Sequence, residues 1–450
     1  MQPDPNPAPP TGRGPDDTRE APDYDGRSEP TTVGDVALWV PRVVLFPLYV
    51  VSEYVIRRPL GWLLSTAERE RWPMLIVDFV TFGDRRQGGI VPTASIDLGM
   101  RASVGVYAFW NDFLFVDNEL RFRGTYGGGD TYQLRLTDRF PLGDGTLALN
   151  FAFESRPDNV FYGIGREHVD QRSRYYSSTT RGGLSAGFPG LRSSYYRVRA
   201  DLRHVQLDGD EQCCGDPSVQ DRVSAGDFPV PPGMGQDFDV ADQVLEVVLD
   251  SRWPRFPELE PASDYVAPPG TGVRFAMRGS HSGVMDQSLA PGPALADDWV
   301  HFGASLGGHL DVTGQQRAVS ATVIVDFAEP LGAGEVPVTD LVSLGGDRPL
   351  RGFLANQFLD RSAAAMRFEY RWPVAVWLDG TLQYELGNVF GRWLSGFELG
   401  ELRSSFGIGL AAVGAQDHTF QALVAFGTTP YSEGGRVDSF RLVLGTTAGF

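Results

Sequence analysis

The chain contains no lysine: all 39 basic residues among its 450 are arginine. A GC-rich genome explains that bias more simply than selection for guanidinium chemistry. Cysteine is almost absent, with Cys213 and Cys214 side by side in an Asp-rich segment. That spacing matches no zinc-ligand pattern, so it predicts a vicinal disulfide or two loop thiols and no metal site. The six histidines, His168, His204, His281, His301, His309 and His418, are scattered. Neither a Gly-x-Ser-x-Gly elbow nor a His-Glu-x-x-His pair accompanies them. No catalytic residue, enzymatic activity or cofactor is therefore expected. Positive charge is in deficit: a formal net charge of −18 disfavours nucleic acid as a partner, because phosphate binding needs basic surface. Long apolar runs are missing too. No stretch of about 20 apolar residues is free of both Pro and charge, which argues against a bundle of spanning helices.

What is present is glycine (54 residues), a 12 % aromatic content and a 42 % hydrophobic content. Strands that span a membrane need only about 9–11 residues, half of them polar, so a barrel is compatible with these values. Three regions separate along the chain. Residues 1–33 are rich in Pro, Asp and Gly, cannot bury enough surface to offset ordering entropy, and are expected to be disordered. They lack the apolar centre of a signal peptide, so an exported chain is expected to carry its signal before this numbering, with the tail in the periplasm. Residues 34–72 form an apolar band, Val36–Val40, Val43–Phe46, Leu48–Val51, Tyr54–Ile56 and Leu60–Leu64, broken by Pro41, Pro47 and Pro59. With Trp39, Tyr49, Tyr54 and Trp62, this amphipathic segment is expected to form one or two kinked helices in the membrane interface or against a barrel mouth. A spanning anchor and a helix inside the lumen are the alternatives.

From residue 73 to 450, two-residue alternation dominates. Leu114, Val116, Leu120 and Phe122 alternate with Phe113, Phe115, Asp117, Glu119, Arg121 and Arg123. Tyr196, Val198, Ala200 and Leu202 alternate with Arg197, Arg199, Asp201 and Arg203. Successive strand side chains point to opposite faces. Apolar stripes backed by so many Arg and acidic residues fit lipid outside and water inside, rather than a soluble sandwich with its apolar face inward. The segments number between fifteen and seventeen, and an even count is required of a closed antiparallel barrel of this kind, so sixteen strands are expected. Asp208–Val240, Trp253–Gly272 and His281–Asp298, rich in Pro, Gly and Asp, are expected to be extracellular loops.

The most informative stretch is Leu344–Phe390. A Gly-rich loop with Gly345-Gly346 and Leu350-Arg351-Gly352-Phe353 precedes two alternating strands, which carry Glu369-Tyr370-Arg371-Trp372-Pro373 and Tyr384-Glu385-Leu386-Gly387-Asn388. Glu369 and Glu385 both leave the apolar face. This combination, in order after Phe161-Tyr162-Gly163-Ile164-Gly165 and Leu249-Asp250-Ser251-Arg252, resembles the barrel of the BamA/TamA family of outer-membrane insertases. The resemblance covers roughly residues 75–450. It implies a bacterial outer-membrane, surface-antigen-type barrel whose sixth loop folds into the lumen, with Arg351 docking on Glu369 and Glu385, Gly352 allowing close backbone approach and Phe353 as the adjoining wedge. The family more usually has Asp at the position of Glu385. Arg351 acting only as a loop staple is the plainer reading. The resemblance also implies a seam between first and last strands, here Ser439–Phe450, with Gly445 and Gly449 on its inward face and the aromatic Phe450 at its end. Those glycines are otherwise ordinary small lumen residues. The family's periplasmic POTRA modules have no counterpart in the residues preceding the barrel. Expected partners are outer-membrane lipid and a client barrel or secreted protein, and a passive porin-like channel is the competing function.

Overall fold

The computed structural model describes residues 80–448 except 84–86, 167–170, 212, 253–269, 289–291, 313–316, 376–377 and 413–417. The expected tail of residues 1–33, the amphipathic segment 34–72, Gly449 and Phe450 lie outside the described residues. No helix among the described residues is long and apolar enough to cross a membrane.

Sixteen strands form one closed antiparallel barrel, the count that the alternation predicts. The first eight are β1 Gly88–Asp97, β2 Ser103–Asn111, β3 Glu119–Tyr126, β4 Tyr132–Leu142, β5 Gly145–Phe161, β6 Ser173–Pro189, β7 Tyr195–Asp208 and β8 Asp237–Asp250. The second eight are β9 Gly272–Gln287, β10 Asp298–Asp311, β11 Ala318–Pro330, β12 Ser362–Ala375, β13 Leu378–Phe390, β14 Arg403–Ala412, β15 His418–Thr428 and β16 Val437–Ala448. Each strand pairs with the next, and β16 returns to β1. The wall is uneven. Strands β5 and β6 run for 17 residues each, whereas β1, β2 and β3 have 10, 9 and 8.

Side chains sort by parity. On β7, Val198 and Leu202 point out and are 49 % and 59 % exposed, while Asp201 and Arg203 between and beyond them are buried. Val104, Leu134, Leu306 and Leu382 also present outward apolar surface. A soluble sandwich would bury these stripes. A continuous apolar girdle around a charged interior is instead what a hydrocarbon surround requires.

Two expectations are corrected. The alternation over Phe113–Phe122 is not one strand: β2 ends at Asn111 and β3 begins at Glu119. Asp112 and Asp117 take positive φ (54° and 64°), which short polar side chains tolerate. The fully buried Asn118 then donates its amide to Asp138 Oδ1 at 2.6 Å and the Arg139 carbonyl at 2.8 Å, locking the turn. Its periodicity imitated a strand because four apolar residues happen to sit in the turn. The second correction concerns Trp253–Gly272. β8 runs down to Asp250 and β9 starts upward from Gly272, so this segment joins the barrel at the end with the short turns, opposite the other two long loops. Composition marks a loop but carries no information on which rim it occupies.

At the other rim, the β7–β8 connection forms helix α1, Val219–Ala225, with a Ser218–Asp221 capping box. It packs with the long β11–β12 connection over a dry cluster that includes Val205, Leu207, Phe238, Trp299, Leu350 and Phe353. Cys213 and Cys214 form a vicinal disulfide in the same connection. Within it, burial raises the Asp216 carboxyl, but hydrogen bonds from Arg172 and Arg174 outweigh burial and hold it below the usual carboxylate range.

If lipid contacts the outward stripes, Val198→Arg should destabilise the barrel by roughly 2–4 kcal/mol. Urea unfolding in liposomes checks this; a shift no larger than that of Ala200→Ser would contradict a hydrocarbon surround.

Candidate functional site

Two features stand out from a regular barrel: a loop that crosses the lumen, and a seam that is only partly zipped.

The loop is the β11–β12 connection. Its two arms, Val342–Leu344 and Phe358–Asp360, pair as a small antiparallel hairpin. At its tip, the Phe353 N–H donates to the Leu350 carbonyl and the Gly346 N–H to the Phe353 carbonyl, at 3.0 and 2.9 Å. The connection is fastened on opposite walls. On one side, Arg203 of β7 donates to Asp340 Oδ1 at 2.9 Å and Oδ2 at 3.1 Å while also forking onto Asp242 of β8. On the other, the backbone N–H of Arg351 donates to Glu385 Oε2 at 2.7 Å, and its guanidinium Nη1 donates to Gln383 Oε1 at 3.1 Å. The connection is therefore a strap across the lumen.

Gly352 is set against strand backbone. A Cβ there would lie 2.2 Å from the Phe426 carbonyl oxygen, so only glycine fits without displacing the strap. Its N–H donates to Ser405 Oγ at 2.8 Å, and its carbonyl accepts from Ser439 Oγ at 2.7 Å. Phe353 is fully buried and meets Phe358 edge to face at 4.8 Å. The Phe161–Gly165 turn supports the strap from outside, its Gly165 N–H donating to the Leu359 carbonyl at 2.8 Å. At the turn end of β8, Asp250 and the buried Arg252 form a forked pair, with Nη2 to Oδ2 at 2.5 Å.

The structure brings Arg351, Gly352, Phe353 and Glu385 together, while Glu369 hydrogen-bonds Arg371 and stands within electrostatic reach of Arg351. Register explains this. Arg367 stands opposite Glu385, and Glu369 opposite Gln383. Glu385 Oε1 accordingly takes Arg367 Nε at 2.7 Å, while Glu369 accepts from Arg371 at 2.8 Å. Gln383, not singled out in the sequence, becomes the guanidinium's acceptor. It stands two residues before Glu385 on the same face, which alternation alone could have suggested.

The seam is the second feature. Between β6 and β7 the ladder runs from Tyr176–Asp208 to Pro189–Tyr195. Between β16 and β1, among the described residues, it holds three pairs, Val443–Asp97, Leu444–Ile96 and Gly445–Ser95, extended by a bond from the Leu98 N–H to the Leu442 carbonyl at 3.1 Å. Gly445 has φ 148°, and a Cβ there would lie 2.3 Å from the Ala94 carbonyl oxygen. Among the described residues, β16 pairs with no part of Ile90–Ala94, while Thr81–Phe82 pair with Gly88 and Gly89 below. Arg441 of β16 reaches across, donating from Nε and Nη2 to the two oxygens of Asp97 at 2.9 and 2.7 Å.

The fold defines a sixteen-stranded antiparallel β-barrel of the transmembrane kind, with a strapped lumen. No family model and no curated protein matches the sequence. Among solved structures it is similar to BamA from Haemophilus ducreyi lacking POTRA domains 1–3, at 16 % identity and TM-score 0.51, covering 80 % of this chain and 70 % of that one. CdiB from Escherichia coli follows at 10 % identity and TM-score 0.49, covering 79 % of this chain and 62 % of that one. OccK11 from Pseudomonas aeruginosa gives 11 % identity and TM-score 0.36, covering 80 % and 95 %. Only the first carries an argument, and at that identity it concerns the fold: an outer-membrane type of barrel.

Glu385 accepts both a strap N–H and a cross-strand guanidinium while fully buried. Glu385→Ala should cost about 3–5 kcal/mol, because it strands buried donors and a charge. Glu369→Ala should cost less and leave the strap docked. Unfolding curves and trypsin cleavage at the strap arginines distinguish the two; equal effects would refute the assignment of Glu385 as the strap's acceptor.

Proposed function

We propose that this chain is a bacterial outer-membrane protein of the BamA/TamA type that assists insertion or translocation of proteins at that membrane. The observation that carries the reading is the partly zipped seam. A membrane barrel is stable in hydrocarbon because every strand edge is paired. Among the described residues, the paired ladder between β16 and β1 is confined to Ser95–Asp97, with one further bond from the Leu98 N–H to the Leu442 carbonyl, next to the shortest strands of the wall. Backbone groups of Pro92–Ala94 then supply an edge onto which an extended client strand can add. The strap supports the same reading, since it docks beside the seam through Ser439 and Gly352.

The partners under this reading are outer-membrane lipid and a client barrel or secreted protein that offers an extended strand. A passive channel is the competitor. Its lumen should conduct, whereas the strap and the apolar cluster at the loop rim are placed to reduce conductance in this one. The amphipathic segment 34–72 is proposed to bind the membrane interface or the barrel mouth.

The test joins both readings in one protein. Ile96→Cys with Leu444→Cys places a disulfide across the seam. Reconstituted with barrel precursors in liposomes, the oxidised variant should lose at least about ten-fold in protease-resistant client insertion and regain it on reduction, as expected if the edge must open for strand addition. Undiminished insertion by the locked barrel, or large steady single-channel conductance from the unmodified one, would overturn the proposal.

A further inference from the structure

The strap and the seam meet at one side chain. Arg441 is 3 % exposed. Its Nε and Nη2 fork onto Asp97, the last residue of β1. Its Nη1 points the other way and donates to the Gly346 carbonyl at 2.5 Å, with the Arg351 carbonyl 3.4 Å away. Asp347 Oδ1 lies 3.6 Å from Nη2. A guanidinium holds its donors in a rigid planar fork, so the two engagements are not independent. When the strap carbonyls are in place, the fork is aimed at Asp97. When the strap lifts, Nη1 loses those acceptors and the fork is no longer held in the plane that serves Asp97. The lever is large because the ladder it guards has three residue pairs.

We propose that Arg441 is a positioning residue that couples the two: the docked strap holds the seam closed through it, and displacement of the strap is what releases the seam. By reciprocity, opening the seam from the β1 side must loosen the strap by the same factor. The inference deepens the functional reading by giving the seam a trigger. Its test reads opening itself, so it succeeds or fails separately from any insertion assay.

Hydrogen exchange of the full chain in nanodiscs measures both sites at once, with β5–β7 as the folding control. Gly352→Ala lifts the strap by its clash with Phe426. It should speed exchange at Ile96–Leu98 by on the order of ten-fold, the effect of losing a charge-assisted bond. In the exchanged pair Asp97→Arg with Arg441→Asp, the seam retains an ion pair but residue 441 has no donor for the strap. There, Gly352→Ala should change seam exchange by less than about two-fold, since the cycle's interaction term has been removed. If the exchanged pair fails to fold, Asp97→Asn serves instead: it should speed exchange at Gly346–Phe353 as well as at Ile96–Leu98. The proposal is overturned if Gly352→Ala leaves the seam untouched, if its effect is as large in the exchanged pair, or if Asp97→Asn loosens the seam alone.

Discussion

Everything in this molecule follows from the demand that backbone N–H and C=O groups find partners inside the wall, because hydrocarbon offers none. Sixteen antiparallel strands meet that demand by closing on themselves. The ladder is long wherever strands are long, as along β5, β6 and β7. Among the described residues it stops short along part of one boundary, between β16 and β1. A local shortfall in an otherwise complete ladder is costly, so its persistence beside the strap is the feature that most needs a function.

The interior solves a different problem. A chain with a net charge of −18 nevertheless lines its lumen with arginine, and several acidic residues there pair with it. Arg203 joins β7, β8 and the strap through Asp242 and Asp340. Arg367 and the Arg351 backbone share Glu385. Arg361 and Arg392 both engage Glu329 near the loop rim. These pairs are directional, and each ties elements far apart in sequence. Their net contribution to stability is modest because desolvation offsets attraction, but removing one partner is expensive. They define where the strap sits more than how stable the barrel is.

Strap and seam are thereby parts of one arrangement rather than two neighbouring curiosities. Ser439 and Arg441 alternate inward on the last strand, and both reach strap carbonyls. Arg351 itself contributes mainly through its backbone and through Gln383, which fits a stapling role for the side chain. The residue that spans strap and seam is Arg441, a position that nothing in the motif pattern marks.

The period of two, the even number of strands and the apolar exterior were legible in the residues, because side-chain direction in a strand is fixed by local geometry. The crowding of Arg351, Gly352 and Phe353 near Glu385 was expected from the motif's resemblance to a known family and not from alternation. The failures have one cause. Phe113–Asn118 alternates like a strand, yet Asp112, Asp117 and Asn118 turn it through contacts with β4. Trp253–Gly272 reads as an outer loop, yet strand direction assigns its ends to the opposite rim. Gln383 carries no charge to mark it, yet cross-strand register sets it opposite Glu369 and makes it an acceptor for Arg351. Pattern along a chain reports which face a side chain takes; which partner waits on that face is decided by register and closure, and those exist only once distant strands have met.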